Sequence, residues 1–143
     1  MALVHKSILL GYSAAQMFAL VDRVEDYPAF LPWCGGVDVR ERAPERLVAA
    51  IVIDYHGIKQ SFTTENTNTP PTGMQMKLIE GPFSQLDGRW NFHPLREDAC
   101  KVEFDLHYEF SSKILEKLIG PVFAKIADSF VESFRKRAEA VYG

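Results

Sequence analysis

The stretch KVEFDLHYEF, residues 101–110, alternates polar and apolar side chains without interruption. Its apolar positions share one face of an extended chain: Val102, Phe104, Leu106, Tyr108 and Phe110. Because successive side chains of a β-strand point to opposite faces, this alternation predicts a strand with one buried face and one solvated face. Such a strand is stable only beside other strands and beneath a layer that covers its apolar face.

The two-residue period extends over residues 37–110, and we predict consecutive antiparallel strands there. A two-residue turn at His56-Gly57 keeps the apolar positions of one hairpin in register. The same turn places Asp54 opposite Lys59 on the outer face, where the two side chains form a favourable charge pair.

The connection near residue 82 requires a different geometry. A two-residue turn would break the apolar pattern, whereas a three-residue loop, Gly81-Pro82-Phe83, sets Leu78 opposite Leu86. We therefore predict a three-residue loop or a bulge at this point. In the following hairpin, pairing Phe92 with Val102 aligns the two apolar faces.

Helical signals flank this region. Residues 3–10 are predicted to form the first strand, and a short helix follows because Ser13 and Gln16 make a capping box. A second short helical segment runs from Val24 until Pro32 ends it.

Residues 112–142 form the third predicted helix, which is long and amphipathic. Its apolar residues recur every three or four positions: Leu115, Ile119, Val122, Ile126, Phe130, Phe134, Ala138 and Val141. Because Pro121 lacks an amide hydrogen, we expect this helix to kink or restart at Gly120-Pro121.

This order of elements predicts an α+β fold. A curved antiparallel sheet of about seven strands wraps around the long C-terminal helix, and two short helices follow the first strand. The 143 residues are expected to form one domain, 1–143, large enough to bury roughly two-thirds of the surface of the unfolded chain.

One end of this sheet gathers the connections that follow the first strand. The segment YPAFLPWCGG, residues 27–36, lies at that end together with the turn near residue 82 and the start of the long helix. Eight residues are predicted to form a rim there: Tyr27, Phe30, Trp33, Gly81, Pro82, Phe83, Leu115 and Leu118. Such a group is either the plug of a core or the mouth of a cavity.

The inner faces of the sheet and helix form the predicted cavity lining. It comprises Ile51, Ile53, Tyr55, Gln60, Phe62, Met74, Met76, Leu78, Gly88, Trp90, Phe92, Phe104, Leu106, Tyr108, Val122, Ile126 and Phe130. Gly88 has no side chain to fill space, and the methionines are adaptable. Gln60, Tyr55 and Tyr108 would place isolated polar groups on this face, where each needs a partner such as a ligand head group.

The residues provide no positive case for catalysis or for a metal site. The four histidines lack metal-ligand spacing, and neither Cys34 nor Cys100 has a neighbouring cysteine or histidine. Nothing basic adjoins Cys34 in sequence, so a loop thiol is favoured over a nucleophile. With two cysteines, no leader and no apolar run of membrane-spanning length, we expect a cytoplasmic protein, with peripheral membrane contact left open. The formal charge of −3 argues against a general nucleic-acid binder.

Four segments resemble one family: VEDYPAFLPWC, EGPFSQLDGRWNFHPL, ACKVEFDLHYEF and ESFRKRAEAVYG. They are similar to the bacterial START-like, or polyketide-cyclase-like (SRPBCC), proteins, a family that groups the ribosome association toxin RatA with mitochondrial coenzyme Q-binding proteins. The resemblance covers essentially the whole chain. It implies a helix-grip fold and a cavity for a long apolar molecule between sheet and helix, with the proline-aromatic segment at its mouth.

Three hypotheses follow from the residues and the resemblance. The first is a non-catalytic carrier or chaperone for ubiquinone or a related polyprenyl lipid, which supports respiration and requires no cofactor. The alternative is a regulator that binds the large ribosomal subunit and blocks subunit association, with Arg135, Lys136 and Arg137 as the contact; the helix dipole also favours cations there. The third is a polyketide cyclase-type enzyme in which a cavity tyrosine or Gln60 polarises a carbonyl.

Overall fold

The computed structural model describes residues 2–143 and consists of seven strands and three α-helices. The strands are β1 (Ala2–Leu10), β2 (Cys34–Ala43), β3 (Arg46–Tyr55), β4 (Ile58–Thr69), β5 (Gly73–Glu80), β6 (Phe83–Arg96) and β7 (Ala99–Phe110). The helices are α1 (Ala14–Asp22), α2 (Tyr27–Phe30) and α3 (Lys113–Tyr142), and a 3-10 turn at Val24–Asp26 precedes α2.

The seven strands form one antiparallel sheet in the order β1-β7-β6-β5-β4-β3-β2. Helix α3 packs across it and buries Ile119, Phe123, Ile126, Ala127, Val131, Phe134 and Ala138. The predicted α+β fold, with two short helices after the first strand, is therefore confirmed. The buried stripe of α3 differs from the predicted one. Phe123, Ala127 and Val131 are buried in addition, whereas the predicted Leu115, Val122 and Phe130 are only partly buried and Val141 is 48% exposed.

The predicted register of the central hairpin is confirmed. Asp54 pairs with Lys59 across the β3–β4 hairpin, as the two-residue turn requires. Both turn residues have positive φ, 50° at His56 and 80° at Gly57, which suits the right-handed twist of the flanking strands. Phe92 also lies opposite Val102, as predicted.

The connection between β5 and β6 is shorter than the three-residue loop, and the irregularity that was the other expected alternative lies in the neighbouring strand pairings. Phe83 already belongs to β6, where it pairs with Phe110, so only Gly81-Pro82 separates the strands. Register shifts lie on both sides of this turn, in the β4–β5 and β6–β7 pairings. The two strands diverge here because the end of β5 stays paired with β4 and the start of β6 with β7.

Of the two alternatives expected at Gly120-Pro121, a kink or a restart, the restart is wrong. Helix α3 runs without a break through Pro121, although proline removes one main-chain hydrogen bond. Ile119 and Phe123, on either side of it, are 1% and 4% exposed. Their burial provides packing on both sides of the proline that offsets the missing bond.

The capping box of α1 leads to a prediction about stability. The backbone N–H of Gln16 donates to Ser13 Oγ at 3.1 Å, and the backbone N–H of Ser13 donates to the side-chain oxygen Oε1 of Gln16 at 2.9 Å. We expect Ser13→Ala to lower the free energy of unfolding by about 1 kcal/mol, measured by urea denaturation. The control is Ser61→Ala on an exposed strand position; an equal loss there would contradict a specific role for the cap.

Candidate functional site

A small apolar cavity lies between the sheet and α3. Its volume is about 70 Å³. It is lined by Val24, Tyr27, Trp33, Ala49, Ile51, Phe62, Thr64, Asn66, Met76, Leu86, Phe104, Leu106, Phe123, Ile126, Ala127 and Phe130. An engineered cavity of about 150 Å³ accommodates benzene, so this one is smaller than a single aromatic ligand requires. A larger apolar molecule enters only if lining side chains move.

Two polar side chains on β4 interrupt the apolar lining. Thr64 Oγ1 donates to Asn66 Oδ1 at 3.1 Å, and Asn66 Nδ2 lies 3.7 Å from Met74 Sδ. Each of Thr64 and Asn66 is 5% exposed. Because a thioether sulfur is a weak acceptor, the Asn66 amide keeps donor capacity for a polar group in the cavity.

The space expected beside Gly88 is filled. Gly88 lies between Met76 and Leu106, as predicted, but a Cβ atom built on Gly88 would collide with Met76 Cε. The Met76 side chain therefore lies over the glycine and closes this part of the cavity. Since methionine is unbranched and flexible, this closure is a feature that a ligand can displace.

Seven of the residues predicted to line a cavity border this one: Ile51, Phe62, Met76, Phe104, Leu106, Ile126 and Phe130. The others lie elsewhere. Ile53, Met74, Trp90, Phe92 and Tyr108 are buried in the core away from the cavity, and Leu78 and Val122 pack against that core at partly buried positions.

The two remaining polar candidates do not meet in the cavity. Tyr55 borders an outer groove beside α3. Gln60 lines a separate surface pocket, which also contains Gly81, Pro82 and Leu115 from the predicted rim. Gln60, Tyr55 and Tyr108 therefore do not surround one head group. Tyr55 and Gln60 border separate surface pockets, and Tyr108 is buried on β7, with β5 and β6 between it and β4.

The remaining rim residues divide between core and surface. Tyr27 and Trp33 line the cavity itself, and Phe30 lies in the outer groove. Phe83 is 5% exposed and packs with ring centroids 5.0 Å from both Phe110 and Phe123, so it plugs the core. Leu118 is 58% exposed.

Tyr27 has a structural role in this arrangement. Its hydroxyl donates to the Val21 carbonyl oxygen at 2.6 Å, and its ring packs against Phe130 and Phe134. Burial, with a further contribution from the Asp22 carboxylate, raises the pKa of the Tyr27 hydroxyl well above its usual value. The residue stays protonated and fixes α2 to the core.

An outer groove of about 460 Å³ runs along the C-terminal half of α3. Its walls are formed by Phe30, Pro32, Trp33, Tyr55, Lys125, Ile126, Ser129, Ser133, Lys136, Arg137 and Ala140. Arg137 Cζ lies 5.0 Å from the centre of the Phe30 ring, a cation–π contact. We call this feature the cationic groove.

The three predicted ribosome-contact residues differ in their surroundings. Arg135 forms ion pairs within α3, with Glu132 at 2.5 Å and with Glu139 at 2.9 Å. Its hydrogen bond to Glu132 lowers the pKa of that carboxyl. Lys136 and Arg137, in contrast, line the cationic groove. Sequence position alone did not separate these roles, because all three residues are adjacent.

Trp33 lies between the groove and the cavity. The side chains of Trp33 and Ile126 contribute to both linings. The Trp33 Nε1–H group is buried without a hydrogen-bond partner among residues 2–143, as is that of Trp90 in the core. Leaving a buried donor unpaired costs about 1–3 kcal/mol.

Cys34 is a buried strand residue. Cys34 is the first residue of β2 and is 7% exposed, rather than part of a loop as expected. Burial raises the pKa of its thiol. Within residues 2–143, no three His, Cys, Asp or Glu side chains are grouped so that they would hold a metal ion. No helix in that range has the length and apolar character to cross a membrane.

Comparison with known proteins shows which family the chain resembles over most of its length. The family model described as "Polyketide cyclase / dehydrase and lipid transport" matches residues 10–135. The ribosome association toxin RatA of Vibrio cholerae is 45% identical over 98% of this chain and 97% of that protein. RatA of Escherichia coli K12 is 41% identical over 97% and 88%. The mitochondrial coenzyme Q-binding protein COQ10 of Drosophila melanogaster is 27% identical over 93% and 58%.

Solved structures show the same fold at lower sequence identity. A protein of Thermus thermophilus superposes with a TM-score of 0.82 at 19% identity, covering 99% of this chain and all of that one. A START superfamily protein of Mycobacterium smegmatis gives a TM-score of 0.80, also at 19% identity, covering 97% and 98%.

Proposed function

Because this chain belongs to the polyketide cyclase / dehydrase and lipid transport family, we propose that it is a non-catalytic binding protein that acts on the association of ribosomal subunits. The observation that carries this proposal is the 45% identity, over nearly the whole length of both chains, to a protein named ribosome association toxin. The residues and the family resemblance together favour a lipid carrier over a ribosome-binding regulator; the names of the relatives at 41–45% identity support the opposite ranking.

The surroundings of the tyrosines support a non-catalytic role. The Tyr27 hydroxyl already donates to the Val21 carbonyl oxygen, and Tyr108 does not line the cavity, so neither is placed to polarise a carbonyl there. Gln60, the other candidate for polarising a carbonyl, lies outside the cavity. Thr64 and Asn66 provide hydrogen bonds there but no titratable group.

The cationic groove is the surface that we expect to meet ribosomal RNA. In a sucrose gradient at low salt, the protein should co-sediment with large ribosomal subunits and reduce the fraction of assembled ribosomes. We expect the triple variant Lys125→Gln/Lys136→Gln/Arg137→Gln, the groove variant, to lower the slope of log binding constant against log salt by about 2–3, because three phosphate contacts are lost.

The matched control removes the same charges from the sheet's outer face. In this sheet variant, Lys59→Gln/Lys77→Gln/Arg89→Gln, the slope should stay that of the parent protein. No co-sedimentation of the parent protein at low salt would overturn the proposed function. Equal effects of the two variants would instead place the contact elsewhere on the surface.

The cavity favours a second candidate function, the binding of an apolar ligand. Its lining is almost entirely apolar, and a relative at 27% identity is named a coenzyme Q-binding protein. Ubiquinone is one such ligand. Native mass spectrometry of the protein purified from its own cells, followed by organic extraction, is expected to reveal a stoichiometric quinone or other lipid. Protein that is empty, and stays empty after incubation with ubiquinone-loaded vesicles, would exclude this candidate.

A further inference from the structure

We propose that the cationic groove holds the anionic head group of a single-chain amphiphile whose apolar tail enters the cavity behind Trp33. This inference rests on the second candidate function and extends it, because it assigns the ligand a charge, a shape and an entry route.

The negative charge that we assign to the ligand follows from three cations that have no ion-pair partner in the described part of the chain. Among residues 2–143, no carboxylate oxygen lies within 4.0 Å of the side-chain nitrogens of Lys125, Lys136 or Arg137. Their neighbour Arg135 is instead paired with two glutamates of the same helix. The described residues that form the walls of the groove include no acidic one. In a chain with a net charge of −3, this local excess of three cations complements an anion.

The shape that we assign to the ligand, a head group with a tail, follows from the wall that the cationic groove and the cavity share. Trp33 and Ile126 border the groove on one side and the cavity on the other, so a rotation of the indole would join them. The segment that carries Trp33 begins at the end of α2 and includes Pro32, and in the described chain it belongs to no helix or strand before Cys34. An acceptor on the incoming ligand would also give the buried Trp33 Nε1–H the partner that it lacks among residues 2–143.

The size of the cavity selects a single chain. At about 70 Å³ it must expand for any tail, and the Met76 side chain over Gly88 is the flexible part of its wall. Two acyl chains would require the core aromatics to move as well. One extended chain requires less expansion, and Trp33 and Met76 are the lining side chains that we expect to move for it.

The aromatic rings of the groove argue for a lipid-like occupant rather than for stacked RNA bases. Arg137 covers the Phe30 ring, and His56 packs on Tyr55 with ring centroids 4.0 Å apart. Trp33 is only 5% exposed. Single-stranded RNA binding relies on aromatic faces that are open to bases, and these three are covered.

The test uses dodecyl phosphate below its critical micelle concentration, with binding measured by calorimetry and by tryptophan fluorescence. Two further probes separate the contributions of the head group and the tail of dodecyl phosphate. Dodecyl maltoside has the same tail without the charge, and inorganic phosphate has the head group without the tail. We expect dodecyl phosphate to bind at least tenfold more tightly than either. The groove variant should weaken that binding at least tenfold, and the sheet variant should leave it unchanged, with circular dichroism showing that both are folded.

Three outcomes would overturn the inference. They are equal affinity for dodecyl phosphate and dodecyl maltoside, unchanged affinity in the groove variant, and binding of an unstructured RNA oligonucleotide that depends on the groove while dodecyl phosphate does not bind. If both detergents bind equally, only the head-group assignment fails. If neither binds, the apolar-ligand function fails as well, whereas co-sedimentation with ribosomes is tested independently.

Discussion

Replacing Trp90 with alanine is expected to lower the free energy of unfolding by about 3–5 kcal/mol, the range for a large buried aromatic side chain. Trp90 is 1% exposed at the centre of the sheet's inner face. Four rings surround it with centroid separations between 4.6 and 5.8 Å: Phe92, Phe104, Phe130 and Phe134. Because domains are stable by only about 5–15 kcal/mol in total, this variant should be close to unfolding at 37 °C.

Urea denaturation followed by circular dichroism measures this loss, and Trp90→Phe provides the control. The indole Nε1–H has no hydrogen-bond partner among the described residues, so phenylalanine removes ring area without breaking a hydrogen bond. We expect Trp90→Phe to cost less than half as much as Trp90→Ala. A loss below about 1.5 kcal/mol for alanine would contradict close packing around this ring.

The predictable part of this fold is the part encoded locally. Alternation of apolar residues predicted the pairing of Phe92 with Val102, because a shift of one residue would turn every apolar side chain toward solvent. Pro121 and Phe83 were harder: the proline lies inside a helix against its local preference, and Phe83 follows a Gly-Pro turn whose length the pattern does not determine. Tertiary burial of Ile119 and Phe123 carries α3 through the proline, and pairing with β7 draws Phe83 into β6.

The candidate site was less predictable, because side-chain packing rather than periodicity determines it. Thr64 and Asn66 line the cavity although both residue types are typical of surfaces. The signal was present in β4, where the inward period that includes Phe62 continues through both. Nothing in the pattern indicates that Met76 fills the space over Gly88, since that depends on a rotamer.

This closure of the cavity leads to the second large effect, on ligand affinity. We expect Met76→Ala to raise the affinity for a short-chain ubiquinone at least about tenfold, or about 1.4 kcal/mol, because the ligand no longer displaces the side chain. Gly88→Ala should lower it by a similar factor, since the added methyl group drives Met76 Cε into the cavity. Equilibrium titration followed by tryptophan fluorescence measures both.

Met74→Ala is the matched control, because it separates a cavity effect from a loss of stability. Met74 is 2% exposed but does not line the cavity, so its truncation should cost about 2–5 kcal/mol of stability without tightening binding. Met76→Ala should lose stability too, and saturating ligand should restore part of it by mass action. If both alanine variants gained affinity equally, a general loosening of the core would explain the result. A gain at Met76 alone, reversed at Gly88, requires a ligand that occupies the space between the sheet and α3.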